Sequence, residues 1–197
     1  FGHILGRRKV SEPRQSIMFI LLKSYGLNLI HLKFWKRMLF ISNKRIVLNK
    51  SKYNSFLYYV HLRLKHYPIQ YILGEWYFGD IIVKCKPDVL IPRIETDKLI
   101  DLIMEKLKIK IKNKNPINFL EIGTGTGAIF ISLMLKYANF SCIGLDINKI
   151  AIELSTENAN KYKIKNYKLT HMDFKDFKSD EKFDFIVSNP PYIANNT

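Results

Sequence analysis

Cysteine is scarce. The 197 residues hold two, Cys85 and Cys142, and neither Cys nor His recurs at the spacing of a zinc site. A bound metal and a disulfide scaffold are therefore not expected. Both thiols read as reduced core residues, which suits a cytosolic or organellar-matrix protein. Long apolar runs are missing as well. The longest near the start, Ile17 to Leu22, is far too short to span a bilayer, so no membrane association is expected. No basic start, apolar centre and small-residue cleavage site occur in order, so no secretory leader is read. The chain begins at Phe1 and stops at Thr197 in mid-loop, and both ends read as cut.

Acid is the third scarcity, and it is local. Residues 1–67 hold fourteen Lys and Arg against a single acid, Glu12, a net +13. Residues 68–197 hold eighteen against sixteen, a net +2. A basic lobe of this kind attracts nucleic acid or an acidic protein surface. The plainer explanation is a bias toward Lys, Asn, Ile, Tyr and Phe, although bias alone would not strip the acids from one lobe. What is present suffices for a core: 47% of residues are hydrophobic and 13% aromatic, so the chain is not a disordered tail. Its length fits one full domain and a smaller one.

The front lobe reads as helical. Ser11, Glu12 and Pro13 form a cap and first turn ahead of Ile17–Leu22, and Gly26 can stop that helix. A second helix is predicted over Ile30–Phe40, with Trp35 in the core. A third is predicted over Ser51–His66, burying Phe56, Tyr59, Val60, Leu62 and Leu64, and Pro68 ends it. Tyr71–Ile91, broken by Gly74, Gly79 and Pro87, reads as a strand pair. Thr96 is placed as the cap of a helix through Leu107, and Lys108–Pro116 as a solvated linker. From Ile117 the pattern alternates. Strands are predicted at Asn118–Ile122, Ser141–Leu145, Tyr167–His171 and Phe183–Ser188, with helices over Ala128–Tyr137 and from Asp146 to Tyr162. Repeated β-α-β units imply an α/β fold with a parallel sheet and helices on both faces.

Two loops carry chemistry. The first is Glu121-Ile-Gly123-Thr124-Gly125-Thr126-Gly127, directly after a strand. Glycines at alternate positions let the backbone turn sharply and approach a ligand. Asp146 ends the next strand, where a carboxylate can accept both ribose hydroxyls of an adenosine; capping the following helix is its ordinary alternative. The spacing is G-x-G-x-G, not the G-x-G-x-x-G of pyrophosphate sites, and an acid precedes it. A carboxylate repels phosphate and favours a cationic amino-acid ligand, which points to S-adenosylmethionine over a dinucleotide. Glu121 could equally face the sheet.

The second loop is Asn189-Pro190-Pro191-Tyr192, after the strand ending at Ser188. An amide nitrogen is a poor nucleophile because its lone pair is delocalised. A site that accepts both of its N–H bonds and aligns it with a methyl group would suffice. The Asn189 oxygen and the Pro190 carbonyl can be those acceptors, two prolines stiffen them, and Tyr192 can lie flat on the planar group. The ordinary alternative is a proline-rich turn.

At these residues the chain resembles the amide and amine N-methyltransferases that share Asn-Pro-Pro-Tyr. Upstream, Pro68-Ile-Gln-Tyr-Ile-Leu-Gly-Glu-Trp76 and Val89-Leu-Ile-Pro-Arg-Ile-Glu-Thr96 resemble one branch, the release-factor glutamine methyltransferases or HemK family. The resemblance runs from about Glu12 onward. It implies a class I S-adenosylmethionine-dependent methyltransferase, Rossmann-like, behind a small helical domain. It implies N5-methylation of the glutamine in the Gly-Gly-Gln loop of release factors, by a monomer. It places cofactor contacts at Glu121, Gly123 to Gly127, Asp146, Asp173, Phe174 and Asn189. Substrate contacts are placed at Asn189, Pro190, Pro191, Tyr192, Pro92 and Arg93. Ile94 stands where the family usually has a second proline. The implied domains are 1–67 for substrate recognition, 68–95 as a β-hairpin linker, and 96–197 as a methyltransferase domain with an incomplete sheet, cut after the Asn-Pro-Pro-Tyr loop. Gln70–Trp76 and Ala151–Asn158 also look like the mitochondrial branch, so an organellar matrix is expected, and the cytoplasm otherwise.

Three rivals stay open, one of them a sister enzyme that uses the same loop on a ribosomal-protein glutamine, which the Gly123–Gly127 and Gln70–Trp76 segments fit less well. An N6-adenine nucleic-acid methyltransferase uses the same loop on an exocyclic amine, and the basic lobe would grip phosphates, but no recognition motif is evident. A non-catalytic fragment could keep the lobe for ribosome or RNA contact. On the leading reading the lobe docks an acidic face of the release factor, through residues such as Lys33, Lys36 and Arg37.

Overall fold

The computed structural model describes residues 2–31, 48–113 and 115–190. It divides into two compact units, Phe1–Trp76 and Tyr77–Thr197.

The first unit is helical, with α1 (Gly2–Arg7), α2 (Pro13–Ser24), α3 (Lys50–Leu64) and α4 (Ile69–Leu73). Pro13 opens α2 as expected, but Ser11 does not cap it. The N-cap is Glu12, left-handed at φ 46° and without a side-chain bond to the helix. Ser11 is occupied elsewhere. Arg63, 6% exposed, donates from Nη2 to the Ser11 hydroxyl (2.8 Å) and carbonyl (3.2 Å). Its Nε reaches Ser16 Oγ (3.2 Å) and its Nη1 the Tyr67 carbonyl (3.1 Å). Burial lowers the Arg63 pKa and the nearby Glu12 charge opposes that shift. On α3 the buried face is Phe56, Val60 and Arg63, one helical stripe. Tyr59, Leu62 and Leu64 are only half-buried. The helix expected over Ile30–Phe40, with Trp35, lies outside the described residues, except that Leu29–His31 form a 3₁₀ turn.

The expected strand pair over Tyr71–Ile91 is smaller than the sequence suggests. Ile69–Leu73 is helical and ends at Gly74, whose φ of 80° suits glycine. Only β1 (Glu75–Phe78) and β2 (Ile81–Lys84) pair. The division between units falls inside β1.

In the second unit, α5 (Asp97–Lys106) and the short α6 (Lys108–Lys112) precede a four-stranded sheet. The stretch read as a solvated linker is thus largely a helical turn, with Ile109 77% exposed and Lys110 paired to Asp184. The strands are β3 (Ile117–Ile122), β4 (Phe140–Asp146), β5 (Tyr167–His171) and β6 (Phe185–Ser188). Their order is β5-β4-β3-β6, all parallel, with Ile117 opposite Phe140, Cys142 opposite Tyr167 and Phe119 opposite Phe185. Phe119, Phe140 and Phe185 form one ring cluster on the buried face; Phe119 stacks on Phe185 at 4.9 Å.

The crossover helices are α7 (Ala128–Lys136) and α8 (Lys149–Lys161), and they contact each other. Steps from β3 to β4 to β5 advance in one direction. Two right-handed crossovers in that direction set both helices on one face. Among the described residues the other face carries the exposed Asn118, Lys168 and Ile186 (61% exposed) and lacks the helical layer expected on both faces.

The outer side of β2 is satisfied by α8. Asn158, 0% exposed, accepts from the Lys84 N–H (2.7 Å) and donates to the carbonyls of Lys84 (3.2 Å) and Thr126 (2.9 Å). Tyr162 accepts from the Ile82 N–H at 2.7 Å. Replacing Asn158 with Ala leaves buried backbone groups of the hairpin and the glycine loop without partners. We expect Asn158→Ala to lower the unfolding free energy by about 2–4 kcal/mol, read as a shift in urea midpoint at unchanged slope; a loss below about 0.5 kcal/mol would contradict this account.

Candidate active site

A cleft of about 520 Å³ opens at the carboxyl ends of β3, β4, β5 and β6, where strand order reverses between β3 and β6. Open parallel sheets form their ligand crevices at such points. The glycine loop makes one wall. Gly123, Gly125 and Gly127 have φ of 79°, 53° and 79°, the left-handed region. A Cβ at Gly123 or Gly125 would meet no atom within 4 Å, so both face open space. Gly127 differs. A Cβ there would come within 2.7 Å of Phe130 and 3.0 Å of Ser155. Gly127 therefore allows the start of α7 to pack, and it is not on the cleft wall; Gly123, Thr124, Gly125 and Thr126 are.

The loop's donors are largely spent within the chain. Gly123 N–H (2.8 Å) and Thr124 N–H (3.1 Å) both reach the Leu145 carbonyl, and Gly127 N–H reaches the Thr124 carbonyl at 2.7 Å. Gly125 N–H donates to Asp146 Oδ2 at 2.8 Å. A phosphate cradle needs such donors aimed at the ligand. Here they hold the loop on the end of β4 instead. Asp146 does not cap α8; Asn148 does, accepting from the Ile150 N–H at 2.9 Å. Each Asp146 oxygen accepts one backbone N–H and keeps lone-pair capacity toward the cleft.

Glu121 settles the question of where it points. It is 1% exposed, it lines the cleft, and neither carboxylate oxygen has a hydrogen-bond partner. Burial pushes its pKa well up; the Phe130 N–H nearby opposes this without making a well-formed bond, and the Asp146 charge adds to the rise. The Thr124 hydroxyl, also at the cleft, is buried and unpaired too. Buried polar groups without partners are costly. These residues fit S-adenosylmethionine, the group expected from the loop. Its ammonium would answer Glu121 and its ribose hydroxyls Asp146. Three exposed apolar side chains on the wall, Leu90, Ile147 and Phe174 (46%, 71% and 53% exposed), offer faces for a flat base.

On the reaction side, Asn189 and Pro190 follow β6 and line the same cleft, as does Pro92. Ser188 Oγ anchors the strand end by donating to the Ile122 carbonyl at 2.8 Å. Asn189 Nδ2 donates to Thr96 Oγ1 at 3.0 Å. Pro191 and Tyr192 lie outside the described residues. Asp173 is not on the wall; it caps the 3₁₀ turn Phe174–Asp176 by accepting from the Lys175 N–H at 3.0 Å. Arg93 is exposed and off the wall. Sequence reasoning missed Leu90, Ile147, Asn148, Met172 and the role of Thr96. Position just past a strand end was the available signal for Ile147 and Met172; nothing local marked the others.

Two family descriptions match the chain: a PrmC N-terminal domain over residues 1–74 and a methyltransferase domain over residues 113–196. A bifunctional methyltransferase of Rickettsia conorii is 37% identical over 172 residues, covering 76% of this chain and 32% of that protein. Release factor glutamine methyltransferases of Fusobacterium nucleatum (40% over 131 residues; 66% of this chain, 36% of the relative) and Coxiella burnetii (34% over 148; 75% and 52%) match likewise. The chain carries a PrmC N-terminal domain followed by a methyltransferase domain, and it is similar to release factor glutamine methyltransferases over 66–75% of its length. It spans between a third and a half of the length of these relatives.

Protonated Glu121 is favoured by the folded, ligand-free protein. The stability this lends is complete below the ordinary Glu range and is lost as pH rises through the raised value. Wild-type Tm should therefore fall with rising pH relative to Glu121→Gln when the two are compared without ligand. Parallel Tm profiles for the two proteins would show that Glu121 is not buried as described.

Proposed function

We propose that the protein transfers a methyl group from S-adenosylmethionine to the side-chain amide nitrogen of the glutamine in the Gly-Gly-Gln loop of a peptide-chain release factor. The observation that carries this reading is the position of Asn189. Asn189 lines the same cleft as Glu121, Asp146 and the glycine loop, in a chain whose relatives include release factor glutamine methyltransferases.

S-adenosylmethionine supplies an electrophilic methyl group on a sulfonium. The chain's own contribution is placement. Asn189 Oδ1 accepts one N–H of the glutamine amide and the Pro190 carbonyl accepts the other. Both acceptors are held before substrate arrives, so little reorganisation accompanies reaction. The nitrogen loses its proton after attack, and no strongly perturbed base is required beside it. Holding nitrogen in line with the methyl group supplies the remaining acceleration by proximity. Glu121 and Asp146 hold the cofactor's polar ends. The basic front lobe favours an acidic face on the partner; Lys33, Lys36 and Arg37 lie outside the described residues.

The test offers labelled S-adenosylmethionine to the whole protein with a release factor, the same factor with the loop glutamine changed to Ala, and adenine-containing DNA. Label on the first alone supports the proposal, and label on DNA overturns it in favour of an adenine methyltransferase. Asn189→Ala should cut kcat by about 10²–10³ while cofactor still binds.

A further inference from the structure

We propose that Thr96 is a positioning residue for Asn189, whose hydroxyl accepts from Nδ2 and holds the Asn189 amide with Oδ1 toward the substrate. This rests on the role given to Asn189 above.

The two ends of an Asn side chain are nearly the same shape and opposite in function: the oxygen only accepts and the NH₂ only donates. If the group flips, a donor faces the N–H of the incoming amide and the site repels its substrate. Something on the far side must accept from Nδ2. Thr96 Oγ1 stands there, 3.0 Å from Nδ2, and both residues line the cleft.

Thr96 is unusual for its place. It is the N-cap of α5, where Thr ordinarily accepts from the helix's own first N–H groups. Its backbone is helical instead, at φ −67° and ψ −21°, and its side chain makes no capping bond. The hydroxyl is thus freed from the local task and spent on a residue 93 positions away. Both ends of the contact are seated on rigid elements. Asp97, next to Thr96, packs so closely on the β1–β2 turn that a Cβ at Gly79 would lie 2.6 Å from its carboxylate. At the other end, Ser188 ties the end of β6 to β3.

A hydroxyl can donate or accept, so Thr96 does not forbid the reverse orientation in the empty site. Once substrate is present its N–H draws Oδ1 toward it, and Thr96 holds that orientation by accepting from Nδ2. With Oδ1 on the substrate N–H and the hydroxyl rotated to accept from Nδ2, the substrate N–H and the Nδ2 N–H that faces Thr96 are both paired. In the reverse orientation two donors oppose each other. Valine at 96 keeps the shape and removes the acceptor, so Nδ2 is left unpaired and the productive orientation is held less firmly.

Thr96→Val, Thr96→Ser and wild type are compared in the whole protein by steady-state methylation of a release factor, by calorimetric cofactor binding, and by the ¹⁵N–¹H signals of the Asn189 NH₂ group, assigned by their loss in Asn189→Ala. We expect Val to lower kcat by about 10–100-fold with cofactor Kd changed less than about twofold, and Ser to recover to within about threefold of wild type. The NH₂ signals should shift and exchange faster in Val and stay near wild type in Ser. A Val variant with wild-type kcat, a Ser variant as impaired as Val, or unmoved NH₂ signals would each overturn the proposal. If wild type methylates no release factor, the proposed function fails. The NH₂ signals then decide by themselves whether Thr96 orients Asn189.

Discussion

The site depends on one attachment, the glycine loop pinned to the end of β4. Three N–H groups do it: those of Gly123 and Thr124 on the Leu145 carbonyl and that of Gly125 on the Asp146 carboxylate. The attachment sets where α7 begins, fixes the carboxylate that faces the cleft, and leaves the bare edges of Gly123 and Gly125 toward the ligand. It also decides what cannot bind well. A loop whose donors are largely used offers little to a pyrophosphate, and the Asp146 carboxylate beside it repels one.

The same geometry explains the chemistry of the wall. Glu121 is drawn out of water with no partner, at the mouth of a sheet whose other buried residues are mostly apolar. A chain would not hold a carboxylate there for stability, since an unpaired buried charge is costly and the group answers by staying protonated. Unpaired polar atoms concentrated at one cleft mark it as a place for a ligand with matching donors. The reaction side is built differently. Asn189 and Pro190 present neutral acceptors on a stiff backbone, which suits a nucleophile that needs orientation more than proton removal.

In each unit a buried polar side chain holds backbone in place. Asn158 joins the hairpin to the glycine loop, and within the helical unit Arg63 joins the segment before α2 to the end of α3. Each pairs with backbone carbonyls that neither helix nor sheet would satisfy, and so does work that apolar packing cannot.

The strands and helices of the α/β part were legible because their signals are local: apolar runs of four to seven residues, glycines after a strand, and an acid ending the next one. The two reactive loops were legible for the same reason, as contiguous residues of unusual type. Other readings failed where a local signal competed with a distant partner. Ser11 and Thr96 look like helix caps, yet their hydroxyls serve Arg63 and Asn189. That the bare edge of Gly127 makes room for Phe130 and Ser155 was likewise hidden from the local pattern. Which face of the sheet the helices cover follows from strand order, which no single segment encodes. The sequence by itself determined which loops could bind and react, because backbone freedom and side-chain type are properties of single residues. Only the tertiary structure decided how the polar groups were paired, because a hydrogen bond is chosen by whatever partner folding brings within 3 Å.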